Sequence, residues 1–328
     1  MGSDKVGAHI ISSVPNPHLV SRFAANLDTL ATPGAKVGVA VSGGADSLAL
    51  LLLAAAARPG LIEAATVDHG LRPESRSEAE MVASVCKRID VPHAILTVDW
   101  ARRPTSNLQA RAREARHDRL AEWALGRGLA FVASAHHADD QAETLLMRLA
   151  RGAGIGGLGS VRASRPLADG VRLVRPVLGW RKSELAAVVA SAGIQPVDDP
   201  TNRDPRHDRV RMREWLKRAD WADPERLAAS ATWLNEADEA LDWALAPLTK
   251  TRVTRDGATL VVDPSEIPRE LQRRLLLSAF AELGAAKPRG PDLARALDTL
   301  RKGGQTTLAG LKLEGGPTWQ LRPAPPRR

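Results

Sequence analysis

The chain has 328 residues, a formal net charge of +8, one cysteine and no tyrosine. That length exceeds what one hydrophobic core organises, so two domains are expected. The lone Cys86 excludes an internal disulfide framework and any Cys-x-x-Cys metal site; no apolar run reaches membrane-spanning length and residues 1–17 carry no signal-peptide pattern, so a cytoplasmic protein is expected.

In chain order, apolar or β-branched runs at Val37–Val41, Ile62–Val67, His93–Val98 and Leu129–Ser134 are each followed by a helical pattern. This alternation predicts an α/β fold, a doubly wound and mostly parallel sheet covered on both faces. The second helix opens with Ser75-Arg76-Ser77-Glu78, a capping-box match, and carries Met81, Val82 and Val85 on one side, with Cys86 as a buried thiol. Val171–Val174 reads as a further strand and Ser183–Ala192 as a helix that Gly193 ends. A boundary near Ala219–Pro224 predicts a first domain over 1–218 and a smaller, mainly helical α+β domain over 219–328. In the latter, Glu225–Leu248, Ile267–Leu283 and Asp292–Leu300 read as helices, and Thr259–Val262, Thr306–Leu308, Leu311–Glu314 and Trp319–Leu321 as short strands. Trp215, Trp221, Trp233 and Trp243 are expected as core or interface anchors, and the terminal Pro-Ala-Pro-Pro-Arg-Arg as disordered.

The charge excess is carried largely by arginine. Arginine grips phosphate through a planar fork, which suggests nucleic acid as a partner, although a GC-rich coding bias would enrich Arg and Ala alike. Clustering favours the first reading: Arg102, Arg103, Arg111, Arg113, Arg116 and Arg119 lie in one stretch, and Arg203, Arg206, Arg209, Arg211, Arg213, Lys217 and Arg218 in another.

In open parallel sheets ligands collect beyond the carboxyl ends of the strands. Ser42-Gly43-Gly44-Ala45-Asp46-Ser47 follows the first strand and precedes an apolar helix. Adjacent glycines bring backbone N–H groups close to an anion, the helix dipole points at the same spot, and Ser42 and Ser47 add hydroxyls. Asp46 can cap the helix or hold a cation bridging phosphates. The loop lacks the lysine of G-x-x-x-x-G-K-[ST], so it is not the common NTPase cradle. It resembles the loop of the ATP pyrophosphatase (PP-loop) superfamily, which implies splitting of ATP to AMP and pyrophosphate with adenylation of an acceptor.

Asp68-His69-Gly70 follows the second strand and Ala135-His136-His137-Ala138-Asp139-Asp140-Gln141 the fourth, running on to Glu143 and Thr144. Asp139 and Glu143 stand four apart on one helix face, an arrangement that a cation or substrate amine would stabilise. Together with Asp199-Pro200-Thr201-Asn202, these strings resemble the bacterial tRNA(Ile)-lysidine synthetase family, in the shorter form without a further C-terminal domain. The resemblance implies that ATP activates the 2-oxo group of the wobble cytidine of a CAU anticodon and that the ε-amine of free L-lysine displaces AMP, leaving lysidine. It further implies ATP at Ser42–Ser47 with Asp68 and His69, catalytic carboxylates among Asp46, Asp139, Asp140 and Glu143, and Mg²⁺ on Asp46 and Asp140. tRNA or lysine contacts would fall to Arg113, His136, His137, Arg209 and Arg213, with residues 219–328 placing the tRNA.

This chain departs from the family pattern at His117 and His207, where tyrosine is usual, and at Val210, where asparagine commonly follows the equivalent of Arg209. Arg151–Gly159 contains G-x-G-x-x-G, yet no strand leads into it, so a flexible loop able to close over substrate is expected instead of a dinucleotide site. Three competitors have counter-indications. A tRNA thiolase normally needs paired cysteines, an amidotransferase-type synthetase needs an ammonia source with a nucleophilic cysteine, and a non-catalytic RNA-binding module would not need Asp46, Asp139, Asp140 and Glu143 intact.

Overall fold

The computed structural model describes residues 15–100, 107–198, 206 and 208–325. Asp199–Asn202, Arg102, Arg103, Arg203 and His207 lie outside the described residues. The chain divides into two compact units, Met1–Ala150 with Ser160–Thr232 and Arg151–Gly159 with Trp233–Arg328.

The first unit holds a six-stranded sheet of β1 (Val37–Ala40), β2 (Ile62–Asp68), β3 (His93–Thr97), β4 (Phe131–Ala133), β5 (Ser164–Ala168) and β6 (Val171–Val174). Their spatial order is β3-β2-β1-β4-β6-β5, parallel throughout except for β5, which runs antiparallel to β6 at the edge. The order reverses at β1, and that switch point opens the crevice in which such sheets bind ligands.

The helices of this unit are α1 (Pro17–Asp28), α2 (Ala45–Ala57), α3 (Ser75–Arg88), α4 (Leu108–Gly126), α5 (Ala138–Leu149), α7 (Lys182–Ser191) and α8 (Asp208–Arg218). Alternation along β1 sends Val37 and Val39 into a core shared with α1, α2, α3 and α7. Gly38 faces the other way, toward α4: a Cβ there would stand 2.7 Å from Cζ3 of Trp123, so only glycine lets that indole lie on the strand. Helix α2 is buried from Ser47 through Ala54, as a helix apolar on every side must be. Gly193, at φ +66°, stands just beyond the end of α7, as expected.

The second unit is α+β. A five-stranded antiparallel sheet, ordered β7 (Val253–Asp256), β8 (Thr259–Val262), β11 (Trp319–Pro323), β10 (Leu311–Glu314) and β9 (Gln305–Leu308), packs on α10 (Arg269–Glu282) and α11 (Gly290–Arg301). Beneath it, Arg274 is buried on Asp238 of α9 (Pro224–Arg252).

The structure corrects several expectations. The Ser75 capping box does not form; Glu74 is the N-cap and the Ser75 hydroxyl donates to Asp68 at 2.7 Å, while Glu78 pairs with Arg72. The glycine-rich stretch is no open loop. It folds into α6 (Ile155–Leu158), and Gly159 accepts a hydrogen bond from Asn235, whose side chain occupies the space a Cβ would need. None of the four tryptophans expected as core or interface anchors is buried: Trp215 and Trp233 are well exposed, Trp221 is 73% and Trp243 82% exposed.

Candidate active site

Strand β1 delivers the chain to Ser42 and Gly43 reverses it with φ +84°. A Cβ on Gly43 would lie 2.9 Å from Cγ2 of Val197 and 3.3 Å from Cε of Met81. The Val197 backbone N–H also donates to the Gly43 carbonyl at 2.9 Å, so the segment after α7 braces the loop from outside. Within the loop, Ser47 Oγ donates to Gly44 O at 2.9 Å and accepts from Ser42 N–H at 3.1 Å. Gly44 is the N-cap of α2 and contributes no side-chain cap, so the first-turn N–H groups around Ala45 suit an anion.

Asp46 projects from that first turn toward the fourth strand. The imidazole of His137 lies between three carboxylates: its Nε2 stands 3.5 Å from Asp46 Oδ2 and from Asp140 Oδ2, and its Nδ1 3.6 Å from Asp139 Oδ2. His137 also caps α5, accepting from the Asp140 N–H at 3.4 Å while Asp140 accepts from the His137 N–H at 3.2 Å. The cap needs a bare Nδ1 and is long; the three anions favour the imidazolium. Burial opposes that charge, but the hydrogen bond to Asp46 and the fields of Asp140, Asp46 and Asp139 outweigh it and raise the His137 pKa. Asp46 mirrors this. Burial pushes its pKa up, yet His137, Lys182 and Arg213 bring it below the ordinary range.

Asp46 Oδ1 is buried and has no hydrogen-bond partner among the described residues. An orphaned carboxylate oxygen invites a cation, and no group of three or more His, Cys, Asp or Glu among the described residues forms a ready-made cage. Two carboxylates completed by phosphate oxygens is the ligand set Mg²⁺ favours, so Asp46 and Asp140 fit that ion.

The remaining expected residues fall into separate groups. Asp139 accepts from the Lys182 N–H at 2.8 Å and lies 3.4 Å from two nitrogens of Arg181. Glu143, 1% exposed, is gripped by Arg213 through Nε at 2.7 Å and Nη2 at 3.2 Å. It therefore joins α5 to α8, and a substrate ammonium would have to displace that pair. Arg209 donates to the Thr144 hydroxyl at 3.2 Å. At the end of β2, Asp68 accepts from Gly70 N–H at 2.9 Å and from Ser75; burial notwithstanding, these hydrogen bonds hold its pKa down. Burial, and then Arg116, lower the His69 pKa against the opposing field of Asp68. His136 and Arg113 face a different neighbourhood, with Arg116, His117, Arg165 and Arg175. Lys182, Arg181, Val197, Arg165 and Arg175 escape sequence reasoning because no motif marks them. Arg175, Arg181 and Lys182 do follow β6, at the same sheet edge as the motifs.

Residues 16–219 match the PP-loop domain model. The tRNA(Ile)-lysidine synthase of Novosphingobium aromaticivorans is 48% identical over 312 residues, covering 94% of each chain. The chain belongs to the tRNA(Ile)-lysidine synthase family. The synthase of Zymomonas mobilis is 43% identical over 297 residues, covering 89% of this chain and 90% of its own. Among solved structures, the U34-tRNA thiolase NcsA from Methanococcus maripaludis with its [4Fe-4S] cluster superposes with TM-score 0.54 over 67% of this chain and 77% of its own. At 18% identity that likeness is one of fold alone. In this synthase family member the glycine loop, the three aspartates around His137 and the Arg213–Glu143 pair all fall within the matched PP-loop residues.

Proposed function

We propose that this protein joins free L-lysine to C2 of the wobble cytidine of tRNA(Ile) with a CAU anticodon, consuming ATP and releasing AMP and pyrophosphate. The observation that carries this reading is the convergence of Asp46, Asp139 and Asp140 on one imidazole directly beside an uncapped glycine loop. An ATP-dependent ligase of this kind needs a phosphate cradle and anionic groups for a cation and an amine, and both are adjacent here.

In the first step the cytidine 2-oxo oxygen attacks the α-phosphorus of ATP; the new O–P bond forms as the bond to pyrophosphate breaks. Backbone N–H groups of Gly43 to Ser47 hold the polyphosphate, and Ser42 and Ser47 keep the loop in shape. Mg²⁺ bound on Asp46 and Asp140 would neutralise charge developing on the polyphosphate. In the second step the lysine ε-amine, having lost a proton, forms the C–N bond at C2 and AMP departs with the former 2-oxo oxygen. Orienting the ammonium and taking its proton are assigned to Asp139, whose side chain is 24% exposed and 3.4 Å from Arg181, whereas Glu143 is 1% exposed and held by Arg213 at 2.7 Å. Arg113 and Arg209 would hold tRNA phosphates or the departing AMP. Asp68 and His69, which follow β2, would contact ATP, and residues 219–328 would place the tRNA. The reaction locates the protein in the cytoplasm, with its RNA substrate.

The deciding experiment follows transfer of radiolabelled lysine to a tRNA(Ile) transcript with a CAU anticodon, with ATP and Mg²⁺, beside Asp46→Ala and a tRNA(Met) control. Incorporation into the first transcript alone, lost in the variant, is expected. ATP cleavage to AMP without incorporation would redirect the assignment to another nucleophile, and cleavage supporting sulfur transfer would favour a thiolase.

A further inference from the structure

Two residues of β4's exit, His136 and His137, divide the crevice. The backbone at His137 is extended, with φ −129° and ψ 178°, so consecutive side chains point to opposite sides. His137 meets the aspartates. His136 instead meets arginines: Arg175 Nε donates to its Nδ1 at 3.3 Å, and Ser134 Oγ lies 3.1 Å from the same atom. Nearby, Arg165 Nη2 stands 3.0 Å from Nε2 and 3.3 Å from Nδ1 of His117. Arg113 and Arg116 belong to the same cluster from α4.

A guanidinium only donates, so Nδ1 of His136 is an unprotonated acceptor for Arg175, and His117 offers Arg165 one unprotonated nitrogen while the other keeps its hydrogen. Burial, then the surrounding arginines, hold His117 down to about 4 and His136 to about 2. Buried arginine is ordinarily neutralised by a carboxylate. Here the hydrogen-bond geometry is met by uncharged rings and by the carbonyls of Arg162 and Pro166. Among the described residues no Asp or Glu pairs with Arg113, Arg116, Arg165 or Arg175, and Arg175 is only 2% exposed. The charge is left uncancelled by any carboxylate of the described residues, an arrangement in which repulsion persists until an anion arrives.

We propose that Arg116, Arg165 and Arg175, oriented by His117 and His136, form a second phosphate pocket that grips backbone phosphates of the RNA strand flanking the modified nucleotide. The proposal rests on the functional reading above. RNA phosphates fit better than the polyphosphate of ATP or its pyrophosphate product, because those travel with a divalent cation and the carboxylates for one lie on the His137 side. Diesters carry single charges, need no metal, and match the planar arginine fork. His117, which stands where the family resemblance has tyrosine, thereby supplies a neutral acceptor without cancelling charge.

The test is salt-titrated binding of the CAU tRNA(Ile) transcript, with ATP and pyrophosphate affinities measured in parallel. His117→Glu places a carboxylate beside Arg165; it is expected to weaken tRNA binding about tenfold at 0.15 M salt and to make the log–log salt slope shallower by about one. ATP and pyrophosphate affinities should not change. His117→Gln, which keeps a neutral acceptor, should lose less. Leu125→Glu, 56% exposed on the same helix, adds the same charge elsewhere and should bind as the parent does. Should His117→Glu unfold on heating earlier than the parent, Arg165→Gln removes a charge instead of adding one and should give the same slope change. Equal effects of Glu and Gln at position 117, or an unchanged slope in both charge variants, overturn the proposal. Weakened pyrophosphate with intact tRNA binding also overturns it, and makes the pocket a leaving-group site. A parent chain that neither binds the transcript nor transfers lysine overturns the functional reading itself, and this RNA ligand with it.

Discussion

Arg213 of α8 grips Glu143 of α5 with two hydrogen bonds, one from Nε at 2.7 Å and one from Nη2 at 3.2 Å, and Glu143 is buried beneath it. Burial alone would depress the guanidinium's pKa, yet Glu143, Asp140 and Asp46 raise it. Removing one partner of a buried pair leaves the other as an uncompensated charge, which costs on the order of 3 kcal/mol. Arg213→Ala is therefore expected to lower the denaturant midpoint clearly, with Glu143→Gln milder because an amide keeps its shape. Equilibrium unfolding of both variants, with lysine KM, checks this. An unchanged midpoint in Glu143→Gln with a raised lysine KM would instead make Glu143 a direct contact to the amine.

Gly43 and Gly44 are adjacent but not equivalent. Gly43 has φ +84° and neighbours at 2.9 and 3.3 Å from a notional Cβ, whereas Gly44 has φ −72° and nothing nearer than Ser42 Oγ at 3.8 Å. Alanine at 43 carries a left-handed backbone penalty of about 1–2 kcal/mol and pushes on Val197, so ATP affinity should fall by roughly tenfold or more. Alanine at 44 should bind ATP within about threefold of the parent. Calorimetric titration with ATP distinguishes them, and equal losses would mean that the N–H positions, not the turn, set affinity.

The parallel strands are legible because each is a short apolar run whose end carries polar residues; that rule alone places Asp46, Asp68 and Asp139 along one crevice. β5 is not legible, since Ser164–Ala168 contains Arg165 and Pro166 and pairs only with β6 at the edge, where no apolar run is needed. Ser75 misleads because its hydroxyl has a better partner in Asp68 than in its own helix, a tertiary choice invisible in a local pattern. The tryptophans mislead for the opposite reason: size suggests burial, while Trp215 and Trp221 pack edge to face at 5.6 Å on the surface. Arg165 and His117 are separated by 48 residues in sequence, and only the fold joins them.

Acid should destabilise the protein through its neutral histidines. His117 and His136 have folded-state pKa values of about 4 and about 2, below the ordinary 6.5. Between those values and 6.5 the unfolded chain binds more protons than the native one, so stability is fully present above about pH 6.5 and is lost as pH falls toward 4. Thermal midpoints at constant ionic strength should therefore drop from pH 7 to pH 4.5. His117→Gln removes one of the two groups, and its curve should be flatter. A His117→Gln curve parallel to that of the parent would show that carboxylates elsewhere dominate the acid limb.

Cys86 lies at 0% exposure between α3 and the sheet, among Val82, Val85 and Val91. Burial drives its thiol up to about 12, so neither access nor thiolate is available in the native state at neutral pH. A disulfide-exchange reagent should leave the folded chain unlabelled and react with one thiol per chain in denaturant. With the reagent in excess at pH 8, the labelling rate should then follow opening of the α2–α3 core. Bound ATP braces the glycine loop at the start of α2, so saturating ATP should slow labelling by the ratio 1 + [ATP]/Kd, whatever the RNA does. Rapid labelling of the native protein would contradict the packing of α3. Labelling indifferent to ATP would mean that this core opens without disturbing the nucleotide loop.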